Sequence, residues 1–409
     1  MTALANASPI DTIENTDTIE NAETILNSVI DLAPEIKSYQ SQIDKERRLP
    51  KQLVDALKNA GVFRMTMPQD WGGAELNPIE QLRIIETLAH IDASVGWCVM
   101  IGSDTGYFTG FINQKVAKQM YPDINMITAA ALTATGRAIK TKDGYRVSGH
   151  FPFSSGCHHS DWFVLGCQVF EGDNRQYLES GTPATLQCFV PAASVTILDT
   201  WDSTGLRGTG SNDLTVAEVF VPKERTFSYQ DLHFYREGPL YQFPLNIIFN
   251  FSSVPLGVTQ AALDAVIEAG ERPSRITTIN GIATPQRTLR DEAFVQDAVG
   301  RSRAMLGSAR AYLYTTMEEF WDTLTQRQEI SPRLMADYQM TTTHVFETCT
   351  QAVELLYKVR GGSAVYRKNA LDRCLRDTVT MNQHVMNSLR TYASAGRLLL
   401  GLPPENILL

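Results

Sequence analysis

LDTWDSTGLRGTGSNDLTVAEVFVPKERT, running from Leu198 to Thr226, is the stretch whose reading decides the fold. Two kinds of sequence meet in it. Thr204-Gly205-Leu206-Arg207-Gly208-Thr209-Gly210-Ser211 holds three glycines, three hydroxyl residues and an arginine. Glycines let backbone N–H groups approach a ligand closely, and hydroxyls add donors. Leu214 to Val221 then alternates and is rich in β-branched residues, which predicts a strand. Pro222 ends it, because proline cannot donate to a ladder. On spacing alone the stretch is a long hairpin loop in a β-domain, since glycine-rich loops are weak signals.

Working outward, the runs Met126–Ala130, Gly136–Lys140 and Tyr145–His150 are short, and Asp143-Gly144 is a hairpin signal. Further strands are expected at Trp162 to Val169 and Ala184 to Val190, giving a middle β-domain over 122–230. Residues 1–22 are polar and acidic, with DTIEN written twice, and predict a mobile tail. A helical period covers 23–121, with Ile25, Val29, Leu32, Ile36 and Ile43, then Leu53, Leu57 and Val62, then helices from Pro78 and Ala93. Residues 231–409 predict four long helices: Leu256–Gly270, Leu289–Gln326, one opened by Ser331-Pro332, and Leu371–Leu400. Four such helices form an antiparallel bundle. The fold class is α+β and multidomain.

With 409 residues, a net charge of −9 and a pI near 5.4, the chain lacks the basic face that nucleic acid or an anionic membrane requires. Its six cysteines are scattered without a CxxC pair, so reduced thiols and a cytoplasmic protein are expected. Neither a signal peptide nor a membrane-spanning run is visible. None of the seven histidines has metal-ligand spacing, so no metal is expected.

Four stretches carry a resemblance: Pro68-Gln69-Asp70-Trp71-Gly72-Gly73, Phe153-Ser154-Ser155-Gly156-Cys157, the 204–211 loop, and Arg360-Gly361-Gly362-Ser363-Ala364. From about Glu23 to about Gly401 the chain resembles the acyl-CoA dehydrogenase superfamily. It resembles more closely the flavin-dependent monooxygenases of that fold, the oxygenase halves of two-component systems. The resemblance implies an N-terminal helical domain, a middle β-barrel or sandwich and a C-terminal four-helix bundle, assembled as a homotetramer. It implies reduced flavin, FMN rather than FAD, delivered by a separate reductase. Oxygen would then add to form a C4a-hydroperoxide, which oxygenates a small aromatic or heteroatom-bearing substrate. No nicotinamide fingerprint is present for the chain to reduce flavin itself.

The resemblance also assigns roles. Ser155 would face flavin N5, with Ser154 as the alternative if the register slips by one. Trp162 would pack near the ring or fill the β-domain core. Arg207, Gly208, Thr209 and Ser211 would contact the flavin from the loop. Arg207, Arg272, Arg275, Arg360 and Arg367 are indistinguishable candidates for its phosphate. Arg360, Gly361 and Gly362 would meet the flavin, in a neighbouring subunit if the assembly shares sites. The Arg-Phe-Gly element of many acyl-CoA dehydrogenases is replaced by Arg272-Pro273-Ser274-Arg275. That suits a flavin that comes and goes, held better when reduced. His384 would support the peroxide. The neighbouring dehydrogenase base position is Val385, which cannot take a proton; this argues against the competing dehydrogenase or oxidase activity. Retention of the Ser155 and His384 motifs argues against a non-catalytic descendant. His90 would activate the substrate as a base, or form a helix-end pair with Asp92.

Overall fold

Asn21 opens the first helix, its side chain accepting the Thr24 N–H at 3.0 Å. This computed structural model describes residues 21–242, 250–273, 278–279, 282–283, 287–388 and 390–403. Most of the expected tail and all of Arg275 lie outside them. The N-terminal helices are α1 (Ala22–Glu46), α2 (Lys51–Asn59), α3 (Pro78–Ile91), α4 (Ala93–Ser103), α5 (Thr105–Thr109) and α6 (Gln114–Met120). Asn77 and Glu80 close a capping box around Pro78, which starts α3. Asp92 caps α4 through the Ser94 and Val95 N–H groups. Ten of the eleven residues of α4 are buried, so this helix is central.

The middle of the chain forms β1 (Thr128–Lys140), β2 (Gly144–Ser154), β3 (Trp162–Glu171), β4 (Asn174–Arg175), β5 (Thr185–Pro191), β6 (Thr196–Leu198), β7 (Asn212–Pro222) and β8 (Thr226–Phe227). They build one sheet in the order β6-β7-β2-β1-β3-β5-β8, with β4 on β3. The Asp143-Gly144 turn joins β1 to β2, with Lys140 opposite Tyr145. Strands β2 and β7 are antiparallel and place Ser154 opposite Asn212. That register brings the Phe153-Ser154-Ser155 stretch alongside the end of the glycine-rich loop.

The C-terminal part contains α7 (Ser253–Glu268), α8 (Ala293–Thr325), α9 (Pro332–Arg360), α10 (Ala370–Met381) and α11 (Arg390–Leu399). Ser331 caps α9 on the Leu334 N–H. The single helix expected over Leu371–Leu400 is instead broken after Met381. Side chains replace the helical ladder there: Asn387 Nδ2 donates to the Asn382 carbonyl, and His384 Nδ1 accepts the Met386 N–H. Buried residues of α1, α3, α4, α7, α9 and α10 share one core, so the N-terminal helices and the bundle are packed as one body. Among the described residues no helix is long and apolar enough to cross a membrane.

Candidate functional site

The glycine-rich loop is latched from both sides. On one side α10 grips it: Leu206 N–H donates to Asp377 Oδ1 at 2.6 Å, Gly205 N–H to Thr380 Oγ1 at 3.0 Å, and Arg376 donates to the Thr204 carbonyl at 2.6 Å. A Cβ on Gly205 would stand 2.0 Å from the Arg376 carbonyl oxygen, so only glycine allows this approach. On the other side Gly208 presses on Ile43 and Ser94, where a Cβ would be 2.1 Å from Ile43 Cγ2. Gly208 therefore lets the loop pack between α1 and α4.

Within this frame four hydrogen bonds run in series. Trp97 Nε1 donates to Ser155 Oγ at 3.1 Å. Ser155 Oγ lies 2.7 Å from Ser211 Oγ, and Ser211 Oγ lies 2.6 Å from Thr209 Oγ1. Thr209 Oγ1 donates to the Leu206 carbonyl at 2.8 Å. Ser155, Ser211 and Thr209 are all buried. The Leu206 carbonyl also accepts Trp201 Nε1 at 3.0 Å. The neighbouring Ser154 is fully buried, and no described group bonds its hydroxyl.

Trp97 also belongs to a cluster of rings. Its centroid is 5.5 Å from His384 and 5.5 Å from Phe251, both edge-on, and His384 and Phe251 are 4.8 Å apart. The two predicted residues Ser155 and His384 are thus joined through one indole. Burial pushes the His384 imidazole down to about 4, so it is neutral near pH 7. Because Nδ1 accepts the Met386 N–H, the proton sits on Nε2, which becomes a donor.

Two further buried carboxyls sit on the elements that carry these groups, Asp377 on α10 and Asp104 at the end of α4. Asp377 is pushed up to about 7 by burial, partly offset by the Leu206 N–H. Asp104, between α4 and α5, is also driven well above the usual carboxylate range by burial, and no described group meets its Oδ1. It lies seven residues beyond Trp97, two helical turns along the same run.

Other predicted residues lie elsewhere. Trp162 belongs to the core with Val164 and Phe189, its N–H bonded to the Met120 carbonyl at 3.0 Å; the core alternative describes it. Arg207 is consumed by protein groups: the Asp44 carbonyl, Asp202 and the Ser203 carbonyl. It braces the loop, which leaves little of its fork for a phosphate. Arg272 and Arg367 are exposed, Arg360 is half-buried at the end of α9, and Gly361 and Gly362 stand in open space. His90 is outside the ring cluster. Its Nε2 is 2.7 Å from Asp264 on α7, at a half-exposed seam. The helix-end pair therefore exists with Asp264, because Asp92 is occupied in capping α4 and facing Arg373. Sequence reading passed over Trp97, Phe251, Asp104 and Asp377 as site residues; an acid inside the apolar run from Ala93 to Phe111 was the available signal for Asp104. A separate surface cleft of about 460 Å³ is lined by Asp70, Trp71, Lys118, Arg236 and Tyr241, and does not include the ring cluster. Among the described residues no group of three His, Cys, Asp or Glu could hold a metal.

Along the chain a helical domain, a sheet and a second set of helices thus surround a cluster of hydroxyls and rings. Acyl-CoA dehydrogenase N-terminal and C-terminal domain profiles match residues 20–124 and 249–389, together more than half the chain, and the chain belongs to that family. Its relatives across nearly the whole length are more particular. An indole-3-acetate monooxygenase of Acinetobacter baumannii is 28% identical over 368 residues, covering 89% of this chain and 90% of its own. The flavin-dependent monooxygenase oxygenase subunit HsaA of Mycobacterium tuberculosis is 26% identical over 391 residues, covering 93% and 96%. The HsaA crystal structure superposes with a TM-score of 0.85 at 25% identity, over 95% of this chain and 100% of that one. XiaF from Streptomyces sp., solved with FADH2 and glycerol, gives 0.84 at 22% identity over 95% and 98%, a likeness of fold.

Proposed function

We propose that this chain is the oxygenase component of a two-component flavin-dependent monooxygenase. It would use reduced flavin, FMN in preference to FAD, from a separate reductase, and oxygenate a small aromatic or heteroatom-bearing substrate. The observation that carries this reading is the coupling of Ser155 to His384 through Trp97. The relatives matched over nearly their whole length, one named an indole-3-acetate monooxygenase and one a flavin-dependent monooxygenase oxygenase subunit, support it.

The donor set suits a reduced flavin. Ser155 already accepts the Trp97 N–H and keeps a second lone pair for a ligand donor. A bound reduced flavin would supply the activation of dioxygen. His384, neutral with Nε2–H outward from its Met386 bond, would donate a hydrogen bond to oxygen-derived negative charge without giving up its proton. Trp97 and Phe251 would exclude water and offer flat faces to an aromatic substrate. Val385, 66% exposed, offers no base for dehydrogenation. His90, tied to Asp264 and half-exposed, is better read as a structural ion pair than as the substrate base.

A homotetramer accompanies this reading. Val365 and Tyr366, just beyond α9, and Leu399 and Leu400, at the end of α11, are exposed apolar residues that a second copy would cover. Cytoplasmic residence accords with six unpaired, buried thiols.

The test is equilibrium titration of the purified protein with oxidised and with anaerobically reduced FMN. The reading expects a protein that purifies largely colourless and binds the reduced form. Tight stoichiometric FAD on the isolated chain would return it to the dehydrogenase class. Light scattering that found a fully active monomer would end the tetramer proposal.

A further inference from the structure

The bonds around Ser155 have a direction that can be read without seeing a hydrogen. A hydroxyl owns one hydrogen. Thr209 spends its own on the Leu206 carbonyl, which can only accept. Ser211, 2.6 Å from Thr209, must then donate to it, and Ser155, 2.7 Å from Ser211, must donate in turn. Trp97 Nε1 can only donate, and it meets Ser155 from the other side. The series therefore runs from Trp97 through Ser155, Ser211 and Thr209 to Leu206. Both ends are fixed by groups that cannot exchange roles. The Leu206 peptide is itself clamped, its N–H on Asp377 and its carbonyl shared with Trp201.

We infer that Trp97, Ser211 and Thr209 are positioning residues that hold Ser155 as a hydrogen-bond acceptor, and that this polarity selects the reduced over the oxidised flavin. The inference rests on the proposed flavin site. Reduced flavin carries a hydrogen on N5 and oxidised flavin carries only a lone pair there. A Ser155 hydroxyl committed to Ser211 has a lone pair to receive N5–H, and no hydrogen for bare N5.

The oxidised form could be met only by reversing the series, with Ser155 donating outward, Ser211 donating to Ser155, and Thr209 donating to Ser211. Reversal costs one bond, from Thr209 to the Leu206 carbonyl. That carbonyl keeps Trp201, so the cost is that of one ordinary hydrogen bond. The preference contributed by the series is thus about tenfold in affinity. For a two-electron couple this raises the midpoint potential of bound flavin by about 30 mV.

Thr209→Val removes the downstream acceptor while keeping shape, so the series can reverse freely. Ser211→Ala removes the acceptor of Ser155 directly. Each should strengthen oxidised FMN binding, leave reduced FMN within about twofold, and lower the bound-flavin potential by about 30 mV. Both affinities are measured by anaerobic titration of the full chain, and the potential by dye equilibration. The inference is overturned if the ratio of the two affinities is unchanged in both variants, or if both affinities fall together, as a merely structural role would give. Wild-type protein that binds both redox forms equally would overturn it while leaving the flavin site standing. Failure to bind either form would remove the proposed function as well.

Discussion

Two buried aspartates, Asp377 on α10 and Asp104 at the end of α4, stand in opposite circumstances. Asp377 is given a partner: its Oδ1 takes the Leu206 N–H at 2.6 Å, and Arg373 and Arg376 lower its cost. Asp104 is given none by the described residues at Oδ1, and burial alone sets its state. The first belongs to a region where the polar atoms are committed to one another, from Trp97 to Leu206. The second belongs to a region where Asn250 Oδ1 and the Tyr229 hydroxyl, both buried, also lack described partners. Committed atoms make a rigid frame; uncommitted ones are met by water or ligand.

The largest expected effect separates the two aspartates by pH. Both have raised values, so the stability each contributes is present below the ordinary carboxylate range and lost as pH rises. For Asp377 the loss spans from about pH 4 to about 7, on the order of 4 kcal/mol at most. Asp377→Asn should therefore overtake wild type across that window and run parallel to it above. Asp104→Asn should likewise gain on wild type as pH rises above the ordinary carboxylate range, because burial alone holds its carboxyl well above that range and no described group at Oδ1 offsets it. Denaturant unfolding at several pH values checks this, and coincident curves for the two variants would erase the distinction.

Next in size is His384→Ala. Loss of one preorganised donor costs about 10²–10³-fold in turnover. The expected outcome is oxygen consumed with reduced flavin but released as hydrogen peroxide, with melting little changed. His90→Ala, which breaks only the half-exposed pair with Asp264, should leave coupling of oxygen to product near wild type. Equal uncoupling in both would reinstate His90 at the site.

Gly205→Ala should follow, at about 1–3 kcal/mol of stability, since the added methyl meets the Arg376 carbonyl. Gly361→Ala, facing open space but at φ 63° and ψ −159°, should cost the isolated chain about 1 kcal/mol or more through backbone strain alone. Thermal unfolding distinguishes them, and a cost for Gly361→Ala that grows with protein concentration would place that loop in a subunit contact.

Much of this frame was legible in the sequence where local chemistry is strong. The alternation from Leu214 to Val221, the Asp143-Gly144 turn and the Ser331-Pro332 start each formed as read. Thr209, Ser211 and Ser155 could be selected as hydroxyls beside glycine. Their order of donation could not, because it depends on a register between β2 and β7 and on Trp97 arriving from α4. The break after Met381 was illegible for a similar reason: Asn382-Gln383-His384 contains no helix breaker, and the chain turns there because side chains take over backbone partners. The arginines were indistinguishable in sequence, and Arg207 is separated from the others only by its contacts with Asp44, Asp202 and Ser203.

The clasp of α10 on the loop bears on how the protein is made. Gly205 and Leu206 are held by Thr380 and Asp377, 175 and 171 residues later in the chain. At roughly 5–20 residues per second of synthesis, the loop emerges some 10–30 s before the helix that closes it. The sheet can pair while still attached to the ribosome, but the loop beside Ser155 stays unlatched until α10 has been made. The pairing of Ser155 with the loop is thereby left unfinished until His384, four residues beyond Thr380, is about to be added as well.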